Sequence, residues 1–136
     1  MLKKLFLAIF LMIALFAFSN LTKAQTLYFC EDVDKQGYPI TESNVFNISS
    51  SGSYLYFLVR LPYTVSCYSV RYELYDVDYD GSETYSTTIY QDVEYDWVWF
   101  SKQVTFYDAG YYKVYAICNC CEAVLASNTV RIQFLD

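Results

Sequence analysis

The sequence contains no histidine, which removes the commonest general base and the commonest metal ligand at once. Glycine (4) and proline (2) are scarce in 136 residues, and no Gly-rich phosphate loop or Pro-rich linker can be written from them. Positive charge is also thin. Nine Lys and Arg stand against fifteen Asp and Glu, a formal charge of −6. Three of those nine (Lys3, Lys4 and Lys23) precede Gln25, whereas every acidic residue follows it, so residues 25–136 carry −9. Nucleic acids and anionic membrane surfaces recruit Lys and Arg, and this chain offers neither in quantity. Nothing in it resembles a nucleophile–base pair or a cofactor motif, and no internal repeat appears. The expectation is a protein that is not an enzyme and needs no cofactor.

The one long apolar run is Leu5–Phe18, preceded by Lys3 and Lys4 and followed by Thr22 and Ala24. A positive start, an apolar core and small residues at −3 and −1 describe a secretory signal peptide cut before Gln25. The core is too short for the roughly 20 residues of a spanning helix. Phe29, bulky and just before Cys30, does not suit a lipidation site. Residues 1–24 are therefore read as a signal peptide and residues 25–136 as a single exported domain with no membrane span. Its destination is the periplasm, the cell surface or the outside.

Tyrosine is what the chain has in excess: 16 residues, all after the signal segment. Aromatic and β-branched residues favour strands. Short apolar stretches separated by turn residues read as eight strands: 26–30, 45–49, 54–61, 67–77, 84–94, 96–107, 111–118 and 128–135. Residues 31–43, polar and carrying Gly37 and Pro39, read as a loop. In 67–77, Val70, Tyr72 and Leu74 alternate with Ser69, Arg71 and Glu73, the signature of a half-buried strand. Two packed antiparallel sheets are the natural way to bury such elements, giving an all-β sandwich of about seven to eight strands.

Asp108-Ala109-Gly110-Tyr111-Tyr112 resembles the D-x-[AG]-x-Y corner of immunoglobulin-like domains, and "SNTVRIQF" (127–134) resembles the last strand of bacterial immunoglobulin-like and PKD-like modules. The resemblance implies a structural role for Tyr112, with its ring buried and its hydroxyl on nearby backbone. The family's inter-sheet cysteine would fall at Val114, and its core tryptophan within 67–75. Both are missing, so an antibody-type core disulfide is not expected.

The five cysteines are Cys30, Cys67, Cys118, Cys120 and Cys121. Export makes disulfides the default, and an odd count leaves one thiol over. In the layout that the resemblance implies, Cys67 and Cys118 lie at one pole, with Cys120 and Cys121 in the next loop and Cys30 joining them. Two disulfides would staple that pole, Cys67 to one of the 118–121 group and Cys30 to another, although sequence leaves all fifteen pairings open. A thiolate metal site and an intermolecular disulfide are the alternatives. The C-x-C-C spacing is unlike the spaced C-x-x-C pairs of most zinc sites.

"DVDYDGSE" (76–83) opens like a calcium loop, with Asp76, Asp78 and Asp80 at ligand positions 1, 3 and 5. Position 12 is Thr87 rather than a bidentate glutamate. Along a strand, residues i and i+2 stand about 6.6 Å apart, too far to share one ion whose oxygens lie at about 2.3–2.6 Å. The favoured reading is a hairpin turning at Asp80-Gly81 with both residues at positive φ, and weak calcium binding is the alternative. Trp97 and Trp99, placed on one strand face, and the exposed tyrosines offer an aromatic platform. The resulting expectation is a binding or adhesion module whose partner is a protein or glycan at the cell surface. The alternatives are a carbohydrate-binding module, with or without calcium, and a disulfide-linked structural subunit, so that the chain is a monomer or a disulfide-linked oligomer.

Overall fold

A computed structural model describes residues 26–135; residues 1–24, which the sequence reading takes as a signal peptide, lie outside them. Nine strands follow one another: β1 (Thr26–Val33), β2 (Pro39–Glu42), β3 (Val45–Ile48), β4 (Ser53–Arg60), β5 (Ser69–Val77), β6 (Glu83–Asp92), β7 (Trp99–Phe106), β8 (Gly110–Cys118) and β9 (Val124–Phe134). They form a four-stranded sheet in the order β2-β1-β4-β7 and a five-stranded sheet in the order β3-β9-β8-β5-β6. All neighbours are antiparallel except the edge pair β3 and β9, which run parallel.

The expected alternation in β5 is present: Val70, Tyr72 and Leu74 are buried, and the residues between them are half-buried. In β4, Leu55, Phe57 and Val59 face the core between the sheets. Phe57 sits at its centre, with ring centroids 5.3 Å from Phe29, 5.5 Å from Tyr72 and 6.1 Å from Phe106. Edge-to-face packing of this kind adds to the stabilisation from area burial, which for a fully buried Phe is about 1.5–3 kcal/mol. No polar or charged residue is fully buried among the described residues, so packing carries this core.

The polar stretch read as a loop over 31–43 is instead a hairpin. β1 runs on to Val33, Asp34 Oδ1 accepts from the amides of Gln36 and Tyr38 (both 2.9 Å), and β2 returns along β1. Gly37, at φ +81°, lies so close against Trp99 that an added Cβ would fall 2.2 Å from the indole. Arg60 donates to the carbonyls of Gln36 and Gly37 and stacks on the Tyr38 ring, 4.2 Å from its centroid. Arg60 and Trp99 are cross-strand partners. The turn therefore folds back over the outer face of the four-stranded sheet. Leu58, on that face and outside the inter-sheet core, is fully buried.

The turn after β5 differs from expectation in its type. The strand stops at Val77, where the sequence reading ended it. Gly81 N–H donates to Asp78 O (2.9 Å) and Asp78 N–H to Ser82 O (3.0 Å). Of Asp80 and Gly81, only Gly81 has a positive φ, 87°. This is a three-residue hairpin loop closed by a glycine bulge, the type that tolerates an ordinary φ at the preceding residue.

Candidate functional site

The strand directions put two unlike ends on the sandwich. At one, β5 starts and β8 ends, because Val70 faces Cys118 across the sheet. At the other, β5 ends and β6 begins, carrying the acidic turn. The first holds four cysteines and both tryptophans.

Cys67 lies two residues before β5, and Cys118 closes β8; both are buried to 1% exposure and belong to the main core. Beyond Cys118 the chain turns tightly. Cys118 N–H donates to Ala123 O and Glu122 N–H to Cys118 O (each 2.9 Å), with Glu122 at φ 60°. Asn119 N–H donates to Ser69 O at 3.0 Å, which ties the turn to the start of β5. Arg71 clamps it from the side, donating to Asn119 Oδ1 (2.9 Å) and pairing with the Glu122 carboxylate. That pairing raises the Arg71 pKa and lowers that of Glu122.

Held this way, the turn gathers thiols. Cys118 Sγ and Cys120 Sγ are 3.3 Å apart, and the sulfurs of Cys118, Cys120 and Cys121 all lie within 4.8 Å of one another. Cys67 lies beside Cys118, close enough for the two thiols to shift each other's proton affinity. Burial alone would push the Cys118 thiol up, but hydrogen bonds from Cys67, Cys120 and Cys121 outweigh it and hold Cys118 at about 7. Its partners move the other way. Burial and the bond to Cys118 push Cys67 up to about 12, and the bond to Cys118 together with desolvation pushes Cys120 up to about 11. The arrangement favours one thiolate at Cys118 surrounded by thiol donors. Among the described residues this is the one group of three or more Cys, Asp or Glu side chains close enough to share a metal ion.

Cys30 does not join this group. Phe29 and Cys30 are consecutive strand residues and point to opposite faces. Phe29 enters the core, whereas Cys30, buried but outside the core, places its sulfur 3.8 Å from Tyr56 O on the four-stranded sheet. Burial raises its pKa to about 11. The expected disulfide from Cys30 to the pole is thus at odds with its position: the strand's alternation turns the side chain to the wrong face.

The tryptophans mark a groove at the same end of the sandwich. Residues 93–98 are laced to 61–68 through Val93 N–H to Tyr68 O (3.0 Å), Ser66 N–H to Tyr95 O (3.0 Å), Val65 N–H to Trp97 O (2.7 Å) and Leu61 N–H to Val98 O (2.8 Å). Trp97 therefore sits in the turn before β7 and does not share a strand face with Trp99, as the sequence reading had it. Both still line one open cavity of about 460 Å³, with Asp96, Phe100 and, from β6, Gln91. Gln91 joins the two sheets there, donating to Ser101 O (2.8 Å) and accepting from the Tyr72 hydroxyl (2.6 Å). Asp96 is the only titratable side chain in the lining.

At the opposite end, Asp76 stays in the β5 ladder opposite Thr84 and Tyr112. Asp78 and Asp80 both accept from the Ser82 hydroxyl (3.1 and 2.7 Å), and bonds from Ser82 lower the Asp80 pKa. The three carboxylates named by the calcium reading are not brought together. Tyr112 is buried, and its hydroxyl donates to Asp108 O at 2.9 Å. Sequence reasoning missed the Arg71–Glu122 clamp, Gln91 and the Gly37 turn. Only the Asp-x-x-Gly spacing of Asp34 and Gly37 signalled any of them in advance. Comparison with family models, with curated proteins and with solved structures finds no match for this chain.

Proposed function

We infer that the chain is an exported, non-enzymatic binding or adhesion module of the bacterial envelope or extracellular space, built as an immunoglobulin-like sandwich. It meets its ligand at the pole that carries the cysteines. The parallel β3–β9 edge, the β8-β5 adjacency and the Tyr112–Asp108 bond support the immunoglobulin-like reading. The observation that carries the binding reading is the open groove lined by exposed Trp97 and half-buried Trp99, since aromatic side chains in a concavity are typical anchors for ligands.

Tryptophans flanking an open groove also favour a second reading, a carbohydrate ligand stacked on an indole face. One experiment tests both. Labelled exported chain is titrated onto intact cells, and onto cells treated with protease or with periodate. Saturable retention lost after protease identifies a protein ligand; retention lost only after periodate identifies a glycan. Absence of saturable retention on any surface contradicts the binding reading.

A further inference from the structure

Cys118, Cys120 and Cys121 gather their sulfurs at one end of this sandwich, with Cys67 beside Cys118, and the four fit disulfides poorly. Cys120 and Cys121 are consecutive, with Cα atoms about 3.8 Å apart, closer than the roughly 4.4–6.8 Å that a disulfide spans. A Cys67–Cys118 bond, which joins the two buried thiols already in contact, would strand that pair. Pairing Cys118 with Cys120, whose sulfurs are 3.3 Å apart, leaves Cys67 to reach Cys121, and Cys67 lies outside the close group formed by the other three sulfurs. The combination Cys67–Cys120 with Cys118–Cys121 requires Cys67 to move in the same way.

A single ion uses all four sulfurs. Thiolate ligands stand about 2.3 Å from zinc, which sets tetrahedral sulfur–sulfur edges at about 3.8 Å. The separations among Cys118, Cys120 and Cys121, 3.3 Å for one pair and within 4.8 Å for all three, bracket that edge, and Cys67, outside that close group, completes the tetrahedron. Two ligands, Cys67 and Cys118, are fixed in the core, and two, Cys120 and Cys121, stand exposed on the turn. The exposed pair gives an ion a way in and lets Cys121 swing toward Cys67. Soft sulfur donors without imidazole or carboxylate select a d¹⁰ thiophilic cation over calcium or magnesium. We propose that Cys67, Cys118, Cys120 and Cys121 form a tetrathiolate site for a zinc-type divalent cation that locks the β8–β9 turn to the start of β5. As the four sulfur–metal bonds form, the S–H protons pass to the buffer and no electrons move. Arg71 is a positioning residue: it touches Asn119 and Glu122, which flank the two exposed ligands. The site does not require the groove to bind a ligand.

Cobalt(II) titration of the exported chain under reductant tests it. The expected result is one equivalent bound, with the intense visible bands of tetrahedral thiolate cobalt, displaced by zinc with proton release. Cys118→Ser and the surface substitution Cys121→Ser each weaken binding by at least about 10-fold, while Cys30→Ser leaves it unchanged. Cys121→Ser does not disturb the core, so its result counts even if Cys118→Ser fails to fold. Arg71→Ala weakens affinity while leaving the band positions in place. Three results would overturn the proposal. One is the absence of tetrahedral bands at stoichiometric cobalt. Another is unchanged binding in Cys121→Ser. The third is non-reducing peptide mapping of the metal-free chain that finds a disulfide between any two of Cys67, Cys118, Cys120 and Cys121.

Discussion

Phe57, Tyr72 and Tyr112 carry the core in different ways, and their substitutions separate the contributions. Phe57 touches three other buried rings and no polar group. Phe57→Ala should cost about 3–5 kcal/mol in urea unfolding, because the cavity cannot collapse between two sheets. Tyr112→Phe removes only the hydroxyl bond to Asp108 O, and about 1 kcal/mol is expected by the same measurement. A loss as large as that of Phe57→Ala would mean that the corner holds the fold. Cys30 gives a pH prediction. Its folded pKa is raised to about 11 from 9.0, so the fold favours the neutral thiol. That contribution is complete below pH 9 and is lost as pH rises through about 11. Cys67 and Cys120, also raised, add in the same sense, whereas Cys118, lowered to about 7, gains stability as pH rises from 7 to 9. The melting temperature of the reduced, metal-free chain should fall between pH 9 and 11, and fall less in Cys30→Ser. Parallel curves would contradict the assignment.

At the scale of elements, the β1–β2 hairpin depends on Gly37. Its φ of +81° and its contact with the Trp99 indole leave no room for a Cβ. Gly37→Ala should lift the turn off Trp99, red-shift tryptophan emission and lower stability by at least about 1 kcal/mol. Unchanged emission would show that the turn does not cover Trp99. This hairpin was also the least legible part of the sequence. Periodicity located β4, β5 and β8, because a strand between two neighbours buries alternate or continuous apolar residues. β2, Pro39–Glu42, lies at a sheet edge and is mostly exposed, so its side chains carry no hydrophobic signal. The turn at Asp78–Ser82 was legible as a turn, but its type was not. Whether Asp80 takes a positive φ depends on where the β5–β6 ladder ends, and a register shift between Leu74 and Tyr75 moves that point. The cysteines divided the same way. The convergence of Cys67 with the 118–121 group follows from two adjacent strands, whereas the separation of Cys30 depends on which face one β1 residue takes.

The whole molecule is two-ended, and its ends differ in chemistry. One carries exposed carboxylates held by Ser82 hydrogen bonds; the other carries gathered thiols and an aromatic groove. The account places ligand binding at the second. The most direct test is saturation binding of labelled residues 25–136 to intact cells, comparing Trp97→Ala with the doubly substituted Asp78→Asn/Asp80→Asn. Trp97 is 37% exposed and lies outside the core, so its truncation should leave the melting temperature within a few degrees. The account predicts that Trp97→Ala weakens binding by about 10-fold or more, as expected of an aromatic anchor, while the acidic-turn variant binds like the parent chain. Full binding by Trp97→Ala together with loss in the acidic-turn variant would contradict it.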